Sequence, residues 1–195
     1  MNTSKKNYHH GDLKNALMSE GIFMINECGI ENFSFNKLAK KCSVTPPAIY
    51  SHFESKDDLL NAIKEKVLED FELFLFRTPR YPSGGYDILE FGLNYIKFFV
   101  SNPHYFHFLW KFSDKPINLD NIHCPDNPVP FLMFKDSVLK IPEYQQLPEP
   151  RLVQSILSKW AMVIGLCYTI INNHSIYSGD YLSMCRKVLL ENLVM

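Results

Sequence analysis

Apolar residues along this chain recur at helical spacing, and period-2 alternation is never sustained, so strands are not expected. Leu13, Ala16, Leu17, Gly21, Met24 and Ile25 fall on one face of a helix expected from about Asp12 to Cys28, with Gly29 as its stop. A short helix follows at about Phe35 to Cys42 with Ser34 as N-cap, and a third begins at Thr45-Pro46. A fourth starts near Ser55 and carries Leu59, Leu60, Ile63, Val67, Leu68 and Phe71. The Pro- and Gly-rich run from Thr78 to Gly85 breaks the pattern and is read as a domain boundary. Five more helices are expected beyond it: Tyr86 to Ser101, Pro103 to Phe112, Pro130 to Lys140, Glu149 to Asn173 and Gly179 to Leu193. Ser113 to Pro130 is a long irregular connection, hence mobile or functional. Ile141 to Pro148 is read as a loop. The fold class is therefore all-α, with about nine helices in two domains.

The stretch from Phe33 to Leu60, FSFNKLAKKCSVTPPAIYSHFESKDDLL, reads as two short helices joined by a tight turn. Leu38 and Ala39 face inward from the first helix, and Ala39 is small enough for the second to cross closely. Cys42-Ser43-Val44 forms the turn, where glycine is common, and Val44 plugs the angle. The Thr45 hydroxyl is expected to accept from the Ala48 N–H. Pro46 and Pro47 occupy positions where a missing N–H costs least. Ile49 and Phe53 pack inward, leaving Pro46, Pro47, Ala48, Tyr50, Ser51 and His52 outward or at the rim, as in a recognition helix. Ser34, Thr45, Tyr50 and His52 can donate to phosphate oxygens, and Lys56 adds a cation at a helix start. Between Asn36 and Lys56 four lysines, including Lys37, stand against Glu54 alone, a local charge of +3. The expected DNA contacts are Ser34, Asn36, Lys37, Thr45, Pro46, Pro47, Ala48, Tyr50, Ser51, His52 and Lys56.

The run YHHGDL at Tyr8 to Leu13, followed by the 33–60 stretch, resembles the tetracycline-repressor (TetR/AcrR) family of bacterial regulators. Thr45, Tyr50, His52, Phe53, Lys56, Asp58 and Leu59 match its order of capped short helix, Tyr-x-His-Phe, and Lys with acidic and Leu neighbours. The resemblance covers residues 8–70, with the helix-turn-helix at about 34–53. Asn102 to Phe106 and Trp160 to Leu166 resemble one branch of the family, with Ile164 where that branch's Trp-x-x-x-His-Gly signature has histidine. The resemblance implies an N-terminal three-helix DNA-binding domain and a C-terminal effector-binding and dimerisation domain over residues 86–195. It further implies a homodimer on a near-palindromic double-stranded operator, acting as a repressor and releasing DNA when a small molecule binds.

Charge and composition alter this little. The net charge of −1 carries no nucleic-acid signature by itself. Five widely spaced cysteines without CxxC argue against a disulfide framework or zinc site, and suggest a reducing, cytoplasmic compartment. Met1 to His10 lacks the apolar core of a signal peptide, and the longest apolar run, Trp160 to Ile171, is shorter than the ~20 residues of a bilayer span. No membrane partner, cofactor or metal is expected. His104 and His107 lie three apart, with only His123 and Cys124 as further metal ligands. Lys5, Lys6, His9 and His10 form either a DNA-touching arm or a solvated terminus. No nucleophile elbow, P-loop, GxGxxG, paired-carboxylate or HExxH motif is present, so no enzyme is expected.

The C-terminal half is heavy in aromatics, which are core, ligand pocket or both. The expected effector is apolar or aromatic, seated near Phe106, Trp110, Phe134 and Trp160. Ala161 and Gly165, four apart on one helix, let another helix approach closely; the partner is either a second subunit or the same chain. Two other readings stay open: a redox-sensing regulator using Cys124 or Cys167, and a ligand-binding module without DNA binding. The first arginine is Arg77, so the commonest guanine contact is reduced to lysine or absent in the head. Pro46, Pro47 and Ala48 offer apolar contact that suits a thymine methyl, which points either to an A·T-rich operator read partly through shape or simply to the codon bias of an A·T-rich genome.

Overall fold

A computed structural model describes residues 10–82, 84–111, 115–174 and 177–193, with side chains from residue 13 onward. The expected arm of Lys5, Lys6, His9 and the His10 side chain therefore lies outside the described residues, as do Tyr8 and Phe112. Ten α-helices and no strand occur among the described residues. They are α1 (His10–Cys28), α2 (Phe35–Lys41), α3 (Pro46–Tyr50), α4 (Lys56–Leu75), α5 (Ile88–Ser101), α6 (Pro103–Lys111), α7 (Val129–Val138), α8 (Pro142–Gln145), α9 (Glu149–Ile171) and α10 (Tyr181–Leu193). Nine correspond to the expected helices. The tenth, α8, falls inside the expected Ile141 to Pro148 loop, and a 3-10 turn at Ile30–Asn32 was also not anticipated.

The described residues form two compact units, those within 1–69 and 104–111, and those within 70–103 and 115–193. In the first, Leu17, Met24 and Ile25 of α1, Leu38 and Ala39 of α2, Ile49 of α3 and Leu59, Leu60 and Ile63 of α4 share one buried core. Gly29 ends α1 with φ 75, a conformation glycine adopts without steric cost, and the His104 ring of α6 lies against it. Lys111 of α6 pairs with Glu31 at 2.8 Å and holds that carboxyl below its usual range.

In the second unit α5, α7, α9 and α10 pack around Phe91, Ile96, Phe131, Phe134, Val163 and Leu189. Asp87 caps α5, accepting from the N–H groups of Leu89 and Glu90 at 3.0 Å. Gly92 is the close-approach point of α5, since a Cβ there would sit 3.1 Å from Leu189 and 3.2 Å from Val163. Val163 thus belongs to the core of its own chain and not to an outward apolar face.

The connection before α7 is folded on itself. Asn127 is buried, its Oδ1 accepts from Asn118 N at 2.7 Å, and its Nδ2 donates to the carbonyls of Asn121 and Ile122 at 3.3 Å. Ile122 anchors the same loop in the interior. The Asn118 and Asn121 side chains add one bond each, accepting from Asn121 N and His123 N at 3.0 Å.

Candidate nucleic-acid interface

The helix-turn-helix is built from local chemistry. Ser34 caps α2, its hydroxyl accepting from Lys37 N at 3.3 Å. The turn closes through Cys42 N to Leu38 O and Val44 N to Ala39 O, both 2.9 Å. Ser43 supplies the left-handed step, φ 57, that a glycine usually supplies. Leu38, Ala39, Ile49 and Phe53 are buried as their spacing requires.

Thr45 differs from expectation. Its hydroxyl makes no cap; Ala48 N bonds the Thr45 backbone carbonyl at 2.9 Å instead. The cause is the pair of prolines. Pro47 has no N–H to offer, and the one donor left in the first turn, Ala48, is taken by the main chain. Pro47, Tyr50, Ser51 and Thr45 itself are exposed, and Pro46, Ala48 and His52 half-buried. Tyr50, 57% exposed, rests edge-on against Phe35 with ring centroids 5.0 Å apart, which sets the first turn of α2 beside the last turn of α3.

Most polar groups of the motif already have partners. Lys37 Nζ donates to Asn32 O at 3.0 Å and Ser51 Oγ to Ala48 O at 2.7 Å. Lys41 pairs with Glu20 at 3.0 Å and lies 4.8 Å from the Phe23 ring centre. Lys56 Nζ donates to Phe33 O at 3.1 Å and sits 5.7 Å from that ring's centre. At the start of α4, Asp58 N donates to Ser55 Oγ and Glu54 N to Asp58 Oδ2, both at 3.0 Å, a reciprocal cap that leaves fewer donors for a phosphate than expected. These contacts of Lys37, Lys41 and Lys56 are exposed or half-exposed, where they hold the side chains weakly.

The four expected effector contacts form two pairs. Phe106 and Trp110 stack at 5.8 Å in the first unit, Trp110 being 62% exposed. Phe134 and Trp160 meet at 5.4 Å in the second, where Tyr95 and Phe131 also stand edge-on to the indole. Trp160 is 5% exposed, and its buried Nε1–H has no hydrogen-bond acceptor among the described residues. Ala161 and Gly165 are exposed on α9, and a Cβ on Gly165 would meet nothing within 4 Å among the described residues. Cys167 is fully buried, and burial pushes its thiol up to about 12, which makes it a poor redox nucleophile. Among the described residues no three His, Cys, Asp or Glu side chains stand together as a metal site.

Residues 17–63 match the family model described as bacterial regulatory proteins, tetR family. The tetracycline repressor protein class G of Vibrio anguillarum is 35% identical over 57 residues, 29% of this chain and 27% of that protein. An HTH-type transcriptional regulator of Staphylococcus aureus (strain USA300) is 26% identical over 73 residues, 37% of this chain and 40% of that protein. The chain thus spans roughly a quarter to two fifths of the curated relatives it matches. The fold is shared far more widely. A TetR transcriptional regulator from Legionella pneumophila superposes with a TM-score of 0.58 at 16% identity, covering 98% of both chains. A protein of unknown function from Rhodococcus sp. RHA1 does so with a TM-score of 0.65 at 15% identity, covering 96% of this chain and 98% of that one.

Proposed function

We propose that this chain, a member of the tetR family of bacterial regulatory proteins through residues 17–63, is a transcriptional repressor. In this reading it binds a near-palindromic DNA operator as a homodimer and releases it when a small molecule binds. The observation that carries the reading is the exposed α2–α3 surface. Tyr50, Thr45, Asn36 and Lys40 project from a buried frame of Leu38, Ala39, Ile49 and Phe53, and no packing need explains the cluster. Lysines around it supply the phosphate attraction that fixes a protein on the duplex.

The second unit supports the other half of the reading. Its aromatic centre carries a buried indole N–H without an acceptor among the described residues, which suits an aromatic or apolar effector bearing one acceptor oxygen or nitrogen. The tetracycline named in the relative of Vibrio anguillarum is not carried over, since 27% of that protein is too little to transfer its ligand. For the dimer, α9 is the relevant element. It is long and apolar enough to cross a membrane by length and composition, yet only 33% of its most apolar window is buried. A second copy covering Ala161, Gly165 and their half-buried neighbours accounts for that composition without a bilayer, in keeping with a cytoplasmic protein.

Titrating labelled DNA from upstream of the chain's own gene with full-length protein tests the reading. Saturable binding that outlasts a large excess of random competitor, and weakens linearly in log–log form as salt rises, is expected. Equal affinity for the upstream fragment and random DNA would overturn it.

A further inference from the structure

Phosphate attraction places the head on DNA; something else must choose the bases. The candidates on the exposed face are few. There is no arginine or glutamine before Arg77, so the usual guanine reader and one of the two adenine readers are missing from the head. Lys37, Lys41 and Lys56 rest only weakly against Asn32, Glu20 and Phe33 and supply the phosphate attraction, while the Ser51 hydroxyl is turned onto its own helix. The first turn of α3 offers no backbone donor, because Pro46 and Pro47 have none and Ala48 N is taken by Thr45 O.

Beside the apolar surface stand the Lys40 ammonium, the Thr45 and Tyr50 hydroxyls and one carboxamide, and of these only the carboxamide holds a donor and an acceptor side by side in one plane. Asn36 is exposed in the first turn of α2, and its side chain has no hydrogen-bond partner among the described residues. The contact of its neighbour Phe35 with Tyr50 places that turn next to the outward face of α3. That face presents Pro46, Pro47, Ala48 and the Tyr50 ring. A carboxamide offers a donor and an acceptor side by side, the complement of adenine N7 and N6 in the major groove. Pyrrolidine and methyl surfaces offer no hydrogen bond, and of the groove's features they complement only the thymine methyl.

We infer that Asn36 is the specificity-determining side chain of the head and reads adenine, while the Pro46, Pro47, Ala48 and Tyr50 surface selects neighbouring thymine methyls. The centre of each operator half-site is then A·T. This rests on the DNA-binding reading above and adds the identity of the bases.

Selection of bound sequences from a random DNA pool, run with the full-length protein and with Asn36→Ala, tests it. The parent protein enriches half-sites with a near-invariant adenine. In Asn36→Ala the preference at that position falls about ten- to a hundredfold, while the other positions and the salt slope persist. Replacing each selected thymine by deoxyuridine removes only a methyl and weakens binding about fourfold per contacted site. Asn36 is exposed and unbonded, so an unchanged circular dichroism spectrum is expected for the variant. A G·C centre selected by the parent, or an unaltered profile in Asn36→Ala, overturns the inference and leaves DNA binding standing. No enrichment of any sequence by the parent overturns both.

Discussion

Ser43 holds a backbone conformation that L-residues avoid, φ 57, at the corner between α2 and α3. The left-handed region costs an L-residue roughly 1–2 kcal/mol, and glycine escapes that cost but loses more chain entropy on folding. Ser43→Gly is therefore expected to stabilise the protein by up to about 1 kcal/mol, read as a higher urea midpoint, and Ser43→Val to lower it. A Ser43→Gly midpoint below the parent's would show that the corner is not strained. Residue-scale features of this kind were unevenly legible. The Ser34 cap could be read from sequence, since a serine before an apolar short helix meets a free N–H three residues on. The Thr45 cap could not, because its outcome depends on whether hydroxyl or carbonyl wins the one donor that the two prolines leave. Nor could the engagement of Lys56 with Phe33, a contact across 23 positions of chain.

At the scale of elements, periodicity located nine helices because each long one has a buried stripe. It missed α8, four residues with none buried, and the 3-10 turn at Ile30–Asn32. Both are fixed by local turns and tertiary placement, and neither has an apolar rhythm. The loop over 115–128 was visible only as a gap, whereas it is ordered by asparagine side chains: Asn118 and Asn121 each accept from one backbone N–H, and the Asn127 amide bonds three further backbone groups. Asn127→Ala strands those groups and should cost about 2 kcal/mol of local stability. That corresponds to roughly thirtyfold faster hydrogen exchange at the loop amides and readier proteolytic cleavage there. Exchange at the parental rate would place the order of the loop elsewhere, with Ile122 as the next candidate.

For the whole molecule, sequence spacing marks Ala161 and Gly165 as a place where another helix could approach closely and leaves open which helix does so. The empty space around Gly165 removes any need for a small residue within the chain, among the described residues. Gly165→Phe is therefore expected to leave the subunit folded and to shift sedimentation from dimer to monomer. A dimer that persists would locate the interface away from this face of α9. Val163, two residues from both Ala161 and Gly165, turns inward to meet Gly92, so that α9 is apolar on an inner face as well as on its outer one. That two-sided character of α9 carries a further consequence for how the molecule comes to be. If its outer face is satisfied only by a second copy, the final step of assembly is a meeting of two chains. Refolding from denaturant should then include a phase whose rate rises with protein concentration, and the thermal midpoint should climb as the sample is made more concentrated.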